Sequence, residues 1–358
     1  MRIPELRLDR QCLARPLKGA PAKVVSWFGA MQAQDYLAAL WALGQRTAGA
    51  TEATIEAAIA DGAVLRTHAF RGTWQYIARE DVHWILDLVG ARVIRGMASR
   101  FRELELDDRL LKRCGEAFAR ALEDGSHLTR EEMAAVLERG RLSHMRPRLM
   151  HVLGHAELSG VIASGGRRGK QPTFALLAHR APVQRRLVRE EALAELAVRY
   201  FQSRGPATAK DFQWWIGLSL RDARLAIELA GKGLEARTVN DETYWMVPGK
   251  TAKPAEGARL LPAFDEYLVG YADRSAVLDP KFIKRVNAGG GILKPAVVTD
   301  GQVIGTWQRI WTGSSAVDVR VTLFKRNEEA FPGIREASKR YASFLGVSLA
   351  EKRPDRRK

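Results

Sequence analysis

Residues 208–231, TAKDFQWWIGLSLRDARLAIELAG, predict two helices that are joined by a short turn with a single glycine. Thr208 and Ser219 are each followed three residues later by an aspartate, which is the spacing of side chains that cap a helix N-terminus. Gly217 lies between the two predicted helices and interrupts them. Two capped helices joined by a short glycine-containing turn predict a helix-turn-helix.

The next segment predicts a β-hairpin. LEARTV and TYWMV alternate apolar and polar residues, and they flank the turn-forming Asn240-Asp241-Glu242. An amphipathic helix over Glu191–Gln202 precedes the helix-turn-helix. Three helices followed by a hairpin are the order of a winged helix.

The same order occurs twice more toward the N-terminus. In the first copy, Pro21, Asp35 and Thr51 are typical helix-start residues, and VLRTHAF and TWQYIA flank Arg71-Gly72. The spacing between copies is too irregular for a solenoid, so we predict three tandem winged-helix modules. The elements predicted for the second copy are helices over Glu116–Glu123, Thr129–Arg139 and Met145–Leu158 and strands over Val161–Ala163 and Thr173–Leu177.

The composition changes after Pro248, where Lys250–Pro254 is typical of a linker. Beyond it, Asp300-Gly301 separates two apolar runs and predicts a hairpin, and Glu328–Leu345 predicts a helix. We therefore predict an α+β protein with three tandem winged-helix modules and a small C-terminal β-barrel-like domain closed by a helix. The predicted boundaries are 1–110, 111–182, 183–250 and 251–350, with a basic tail over 351–358.

The charge of the chain predicts a polyanionic partner. The 358 residues include 57 Lys and Arg against 41 Asp and Glu, a formal net charge of +16. Two cysteines cannot form a disulfide framework, and no apolar run is long enough to span a bilayer. The N-terminus lacks the apolar core of a signal peptide. We expect a cytoplasmic, nucleoid-associated protein that binds nucleic acid and no membrane.

Several common kinds of catalytic site are missing from the sequence. It contains no H-E-x-x-H, no paired C-x-x-C, no G-x-S-x-G and no phosphate-loop spacing. Its seven histidines are scattered, and each is expected to be a surface or core residue. We therefore expect no metal ion and no cofactor.

Arginine and lysine at two places are candidates for DNA contacts. Arg167, Arg168 and Lys170 crowd one predicted hairpin tip with three glycines, where they predict either a phosphate clamp or a solvated turn. Arg221 and Arg224 lie one turn apart on the predicted third recognition helix, where they could contact phosphates, bases or nothing. The predicted DNA-binding set also includes Arg71, in the turn of the first wing.

The triplet Gln32-Ala33-Gln34 is the main catalytic candidate. Asp35 has the pattern of a helix N-cap, so the triplet is expected in a break between helices. In extended geometry, positions two apart point the same way, which would place two neutral amides side by side. The alternative is that both amides only satisfy backbone groups at the helix junction. Asp35 is the reserve candidate for a base.

Four sequence strings, in this order, resemble a bacterial family of winged-helix DNA glycosylases, and the resemblance extends from about Leu8 to Leu345. This family includes enzymes that remove alkylated bases and unhook interstrand crosslinks, among them an azinomycin-resistance enzyme. The strings are MQAQDYLAALWAL (31–43), RTHAFRGTWQYIAREDVHWIL (66–86), LLPAFDEYLVGYADRS (260–275) and GGGILKPAVVTDGQVIGTWQR (289–309).

The resemblance implies three winged helices, a C-terminal β-barrel and a catalytic motif of Gln, an apolar residue, then Gln or Asp. That motif falls on Gln32, Ala33 and Gln34, and Ala33 is smaller than the bulky apolar residue of some members. The implied reaction is release of cationic alkylated purines from double-stranded DNA, with Gln34 holding the attacking water and Gln32 orienting sugar or water.

Two further expectations accompany this prediction. No lysine occurs between Lys23 and Lys112, so we expect a monofunctional glycosylase that uses water and not an amine nucleophile. Three modules in one chain suit a monomer on damaged DNA. The alternative is a non-enzymatic DNA-binding regulator or architectural protein that kept the fold without the chemistry.

Overall fold

The computed structural model describes residues 1–140, 142–249 and 256–350. Within these ranges the chain combines helices with four separate antiparallel or mixed sheets. The predicted linker at Lys250–Pro254 and the predicted tail over 351–358 lie outside the described residues. No helix of the described ranges is both long enough and apolar enough to cross a bilayer.

The first unit contains five helices and a three-stranded sheet in the order β1-β3-β2. Its predicted helix starts are confirmed, because Pro21 is the first helical residue of α2 and the side chains of Asp35 and Thr51 cap α3 and α4. The elements are α1 (Ile3–Arg10), α2 (Pro21–Phe28), β1 (Met31–Gln32), α3 (Tyr36–Gly44), α4 (Glu52–Ala60), β2 (Val64–His68), β3 (Trp74–Ala78) and α5 (Val82–Gly96).

The second unit differs from its prediction in two helices. The helix predicted from Met145 begins at Leu149, because Pro147 lacks an N–H and lies in a short 3-10 turn before it. The helix predicted from Glu116 begins earlier, after the capping residue Asp107. The elements are α6 (Ala98–Glu103), α7 (Asp108–Ala121), β4 (Leu128–Thr129), α8 (Arg130–Arg139), α9 (Leu149–Leu158), β5 (Ile162–Ser164), β6 (Thr173–Leu176) and α10 (Leu177–Arg180).

The third unit follows its prediction closely. Thr208 and Ser219 cap their helices as expected, and Gly217 ends the first of these helices with a φ of 73°, in the left-handed region. The hairpin turns through Asn240 and Asp241, which both have positive φ. The elements are α11 (Arg189–Arg204), α12 (Ala209–Ile216), α13 (Leu220–Ala230), β7 (Glu235–Val239) and β8 (Glu242–Met246).

The C-terminal unit is a five-stranded sheet in the order β13-β12-β11-β10-β9, with β13 parallel to its neighbour. The hairpin predicted at Asp300-Gly301 joins β10 and β11, and the predicted closing helix is α16. The elements are β9 (Ala258–Leu261), α14 (Glu266–Val269), α15 (Ile283–Val286), β10 (Ala296–Thr299), β11 (Gln302–Thr312), β12 (Ala316–Leu323), α16 (Phe331–Phe344) and β13 (Ser348–Leu349).

Two hydrophobic cores are shared between units. One joins β2 and α5 of the first unit to the helices of the third, with Trp84 and Trp215 among its buried residues. The other joins α2 and α3 to the C-terminal sheet and α16, through Trp41, Trp307 and Tyr341. The first unit therefore packs against the third unit on one side and the C-terminal unit on the other. The glutamine triplet lies at β1 of its sheet.

Candidate active site

The glutamine triplet lies in an extended break between two helices. α2 ends at Phe28 and is followed by its C-cap Gly29, whose φ is 76°, before α3 begins at Tyr36. Between them β1 pairs antiparallel with β3, so that Gln32 lies opposite Gln75. The N–H of Ala33 continues this pairing by donating to the carbonyl oxygen of Trp74 at 2.8 Å. The predicted break and its extended geometry are confirmed.

The side chain of Gln32 is buried and oriented by β3. Gln32 is 8% exposed. Its Oε1 lies 3.1 Å from Thr73 Oγ1 and also accepts a hydrogen bond from Gln75 Nε2. Its Nε2 has no hydrogen-bond partner in the described part of the chain. The carbonyl oxygen of this amide is therefore occupied, whereas its N–H groups are available.

The side chain of Gln34 is exposed at the same end of β3. Its Oε1 accepts a hydrogen bond from the Trp74 N–H at 3.3 Å, a long bond that leaves a lone pair of the oxygen unused. Gln32 thus contacts the side chains of Thr73 and Gln75, whereas Gln34 contacts the backbone of Trp74 between them. Gln34 is the amide that solvent and substrate can reach.

Arg66 holds the backbone of the triplet. Its Nε donates to the carbonyl oxygen of Ala33 at 2.9 Å, and its guanidinium lies 4.3 Å from the centroid of the Trp74 ring. Burial lowers the pKa of Arg66 from its usual value. Ala33 itself is fully buried in the core shared with the C-terminal unit. A small apolar residue at this position is therefore packed, and it anchors the strand between the two amides.

Asp35 has the capping role that its position predicts. Its Oδ1 accepts a hydrogen bond from the Ala38 N–H at 3.0 Å, which fixes the start of α3. The side chain is exposed. The capping bond explains Asp35 without a catalytic role, so it stays the reserve candidate for a base.

A buried ion pair fixes β1 from the other side. Glu266 Oε1 accepts the backbone N–H of Gln32 at 2.6 Å, and Glu266 Oε2 accepts Arg204 Nε at 2.9 Å. Arg204 also donates to the carbonyl oxygens of Phe28 and Ala30, at 2.9 and 2.7 Å. Glu266 and Arg204 are 1% and 0% exposed. Sequence reasoning did not predict this contact, which joins the 260–275 string to the glutamine triplet.

A second buried pair stands beside the first. Asp265 accepts two hydrogen bonds from Arg46, at 2.7 and 2.8 Å, and both side chains are fully buried. Asp265 also caps α14 through the Tyr267 N–H. The two consecutive acids of the C-terminal unit therefore each pair with a buried arginine, one from the first unit and one from the third.

His68 and Glu157 form a contact that sequence reasoning missed. His68 lies opposite Trp74 in the β2–β3 pairing, with ring centroids 4.3 Å apart, and its Nδ1 hydrogen-bonds the carboxylate of Glu157 on α9. Glu157 is 1% exposed. Gly154, on the same helix, lies beside the His68 ring, and a Cβ at this position would be in ordinary van der Waals contact with the ring at 3.6 Å. The available signal was a glutamate on an apolar helix, one turn after a glycine.

The aromatic residues near the triplet differ in how deeply they are buried. Phe70 is fully buried against Trp215, and Tyr76 is fully buried in the shared core. Trp74 is half-buried between His68 and Arg66. Of these three aromatic residues, only Trp74 keeps part of its side chain accessible beside Gln34.

The family of the chain follows from a comparison with known proteins. The family model described as "DNA glycosylase AlkZ-like" matches residues 25–344, which include the triplet, both buried ion pairs and the His68–Glu157 contact. The chain belongs to this family. The predicted resemblance and the predicted class of activity, DNA glycosylase, are confirmed.

Similar proteins agree with this assignment of the AlkZ-like chain. An interstrand DNA cross-link repair glycosylase of Streptomyces sahachiroi is 28% identical over 318 residues, which are 84% of this chain and 85% of the relative. The solved structure of the Streptomyces sahachiroi DNA glycosylase AlkZ superposes with a TM-score of 0.80 and covers 98% of both chains at 24% identity. The structural match extends over the whole α+β fold.

Two arginines of the predicted phosphate clamp in this AlkZ-like protein are already paired. Arg167 Nη1 lies 2.6 Å from Glu56 Oε1. Arg168 Nη1 lies 2.7 Å from Glu132 Oε1, and hydrogen bonds from the Thr129 backbone and from Arg168 lower the pKa of Glu132 to about 2. Their charges are therefore partly neutralised, whereas Lys170 in the same loop is exposed and has no ion pair within the described ranges.

The remaining predicted DNA contacts differ in their availability. Arg221 and Arg224 are exposed on α13 and take part in no ion pair among the described residues. Arg71, which has a φ of 56°, donates to the carbonyl oxygens of Trp214 and Trp215 at the end of α12. Arg71 thus joins the first unit to the third.

We expect the salt dependence of DNA binding to separate these residues. The double variant Arg221→Ala, Arg224→Ala should reduce the slope of log affinity against log salt by up to about two, since each released phosphate contact contributes about 0.9. Lys170→Ala should reduce it by up to about one for the same reason. Fluorescence anisotropy at several salt concentrations measures the slope.

The matched control is Arg146→Ala. Arg146 is exposed but lies 2.5 and 2.8 Å from the carboxylates of Glu131 and Glu138, so its charge is compensated twice. Its substitution should leave the salt slope unchanged. If Arg146→Ala and Lys170→Ala changed the salt slope equally, an ion pair in the free protein would not determine which cations bind DNA phosphates.

The two cysteines supply no reactive group. Cys12 and Cys114 are buried and form no disulfide. Burial raises the pKa of each thiol to about 11, so both are protonated at neutral pH. No group of three side chains able to hold a metal ion occurs in the residues that the structure describes.

Proposed function

We propose that this chain hydrolyses the N-glycosidic bond of cationic alkylated purines in double-stranded DNA, with Gln32 and Gln34 at the reaction centre. The observation that carries the proposal is the fixed pair of neutral amides at the start of β3, one buried and one exposed. The family match favours an enzyme over the non-enzymatic alternative.

Neutral amides suit a leaving group that is already charged. When the glycosidic bond of an N7-alkylated purine breaks, its electron pair stays with the base and neutralises the cation. The sugar develops oxocarbenium character, and a water oxygen then bonds to C1′ and releases a proton to solvent. No strong general acid is needed, so positioning and electrostatic stabilisation by carbonyl oxygens are sufficient.

The geometry divides the work between the two glutamines. Gln34 Oε1 has one lone pair engaged by the Trp74 N–H at 3.3 Å, so the other is free to orient the water or face the sugar cation. Gln32 Oε1 is occupied by Thr73 and Gln75, which leaves its Nε2 as a donor toward sugar or water. Gln32 therefore orients, and Gln34 holds the water. Asp35 is the reserve base if Gln34 only orients.

We also propose that Glu157 and His68 are positioning residues for this site. Glu157 holds the His68 ring, that ring packs on Trp74, and the Trp74 N–H binds Gln34. The chain of contacts runs from α9 of the second unit to the exposed amide. Displacement of a positioned group by about 1 Å is enough to slow an enzymatic step by on the order of 100-fold.

Glu157→Gln is therefore expected to slow base release by on the order of 10-fold, because the amide keeps the shape of the side chain but loses its charge. The affinity for DNA should not change. Single-turnover rates at saturating enzyme, together with anisotropy, separate the two effects. Glu131→Gln, an exposed carboxylate of the same unit, is the matched control; equal rates for both variants would make the pair a purely structural contact.

The proposed DNA-binding surface depends on the fold of each unit. We infer that the three helical units are winged helices with boundaries near 1–110, 111–182 and 183–250, and that residues 251–350 form the barrel-like domain. Their order of helices and paired strands supports this. A single chain with three such modules can contact DNA as a monomer. Since the proposed substrate is DNA, we expect the protein at the nucleoid in the cytoplasm.

Interstrand crosslinks belong to the proposed substrate range. The relative from Streptomyces sahachiroi is named for cross-link repair, and 84% of this chain aligns with it. A crosslink attached through purine N7 atoms carries the same cationic leaving group as a monoadduct. The same glutamine pair could therefore cleave one attachment and then the other.

The deciding experiment is incubation with duplex DNA that contains N7-methylguanine. We expect the free base to appear in solution, detected by chromatography, and an abasic site to remain. A duplex with undamaged guanine is the control and should release no base. DNA binding without any base release would favour the non-enzymatic alternative.

The product strand should be intact, because no lysine lies between Lys23 and Lys112 to attack the sugar. Denaturing gels should show a break only after alkali or heat. Borohydride during turnover should trap no protein–DNA adduct. A stable adduct that disappears in Lys23→Ala would show that an amine and not water attacks C1′.

A further inference from the structure

A cavity of about 200 Å³ lies away from the glutamine triplet, between the segment after α1, the end of α3, β9 and α16. Most of its wall is apolar and includes Trp41, whose indole N–H donates a hydrogen bond to the carbonyl oxygen of Leu260. The polar side chains in the wall are Gln45, Arg259 and Arg340. The lining contains no aspartate or glutamate.

The two arginines of this cavity share one acceptor. Arg259 Nη1 and Arg340 Nη2 both donate to the carbonyl oxygen of Ala258, at 3.1 and 2.7 Å. Arg259 is half-buried in the wall, and Arg340 is exposed at the mouth. Burial and the neighbouring Arg340 charge lower the pKa of Arg259 to about 10. Two guanidinium groups are thus held close together on a mostly apolar wall.

Neither cation has a carboxylate partner among the described residues. Arg259 is bound by carbonyl oxygens, including that of Leu13 at 2.7 Å, which satisfy Nε and Nη1 but carry no net charge. Glu336, four residues before Arg340 on α16, is paired with Lys339 at 2.7 Å. The fully buried Arg46 and Arg204, in contrast, each face a carboxylate. The cavity therefore lacks the anion that the chain supplies to those two arginines.

We propose that this cavity is a binding site for a phosphate group. Two adjacent guanidiniums with N–H groups still free match the several acceptor oxygens of phosphate, and Arg binds that group bidentately. The apolar wall at Trp41 would take the part of the ligand next to the phosphate. The phosphate can belong to the DNA backbone or to a small phosphorylated molecule.

The site lies close to the support of the active-site strand. Gln45 Nε2 is 3.5 Å from Asp265 Oδ2, and the next residue, Glu266, binds the Gln32 N–H. A ligand that contacts Gln45 would therefore lie one side chain away from Asp265, the residue before Glu266. For this reason the test measures base release as well as phosphate binding.

The test uses inorganic phosphate as the probe. Thermal unfolding of the full chain is followed with increasing phosphate, and with sodium chloride at equal ionic strength as the control. We expect the midpoint to rise saturably with phosphate only, because a ligand that binds the native state stabilises it. The rise should be lost in Arg340→Gln and in Arg259→Gln, and kept in Arg335→Gln, an exposed arginine on the same helix.

A competition arm distinguishes the two sources of phosphate. If saturating duplex DNA abolishes the phosphate effect, the site holds the DNA backbone; if the effect persists, it holds a small ligand. Base release is measured separately on duplex DNA, whereas the phosphate-dependent midpoint is measured without DNA, so failure of the glycosylase assay and failure of this proposal remain distinguishable. No saturable shift with phosphate, or the same shift in Arg340→Gln, would overturn the proposal.

Discussion

Gln34→Ala is expected to slow the release of N7-methylguanine from duplex DNA by about 100-fold or more, the scale of losing one preorganised polar group at a reaction centre. Gln34 is exposed, and the only hydrogen bond of its side chain within the described residues is the 3.3 Å bond from the Trp74 N–H. Its removal leaves no buried group unsatisfied. The loss should therefore appear in the rate and not in stability or DNA affinity.

The controls for this prediction follow from the neighbours of Gln34. Asp35→Asn keeps the cap on α3 and removes the carboxylate, so near wild-type activity would exclude Asp35 as the base. Gln32→Ala should also slow base release, but it removes an acceptor that Thr73 and Gln75 share in a buried site and should therefore lower stability as well. Full activity in both glutamine variants would refute the site assignment.

Arg204→Ala should have the largest effect on stability. The substitution leaves the buried carboxylate of Glu266 without its cation, which destabilises proteins by about 3–5 kcal/mol. It also removes the donors to the carbonyl oxygens of Phe28 and Ala30 on either side of Gly29. We expect a large decrease of the midpoint in urea or thermal unfolding, followed by circular dichroism.

Two further variants make this prediction specific. Arg146→Ala removes an exposed arginine with two carboxylate partners and should change the free energy of unfolding by only about 0–1 kcal/mol. Glu266→Gln keeps an acceptor for the Gln32 N–H but unpairs Arg204, so it should be destabilised and still release base when folded. Wild-type stability of Arg204→Ala would mean that the pair does not hold β1.

Local features of the fold could be predicted because their causes lie within a few residues. Thr208 and Ser219 cap helices through bonds to residues three positions on. The turn at Asn240-Asp241 needs residues that tolerate positive φ, and those residues are present. Pro147 illustrates the opposite case: its place in a first turn was expected, but it delayed α9 to Leu149.

The candidate site could be predicted only in part. The triplet and its extended geometry follow from the cap at Asp35 and from the resemblance to the family. The hydrogen bond from the Gln32 N–H to Glu266 joins residues 234 positions apart, and the His68–Glu157 contact joins residues 89 positions apart. No periodicity or motif spacing reports contacts over such distances.

Residue type and short-range spacing were enough to predict the capped starts of α12 and α13, the turn at Asn240-Asp241, the basic character and the glutamine pair. Which cations are free could be seen only once the packing of the helices was known. Arg167 and Arg168 looked equivalent to Lys170 in one loop, yet both arginines meet carboxylates from α4 and α8. The physical reason is that the ionic environment of a side chain is set by whichever elements pack around it, and packing brings together residues that are remote in the chain.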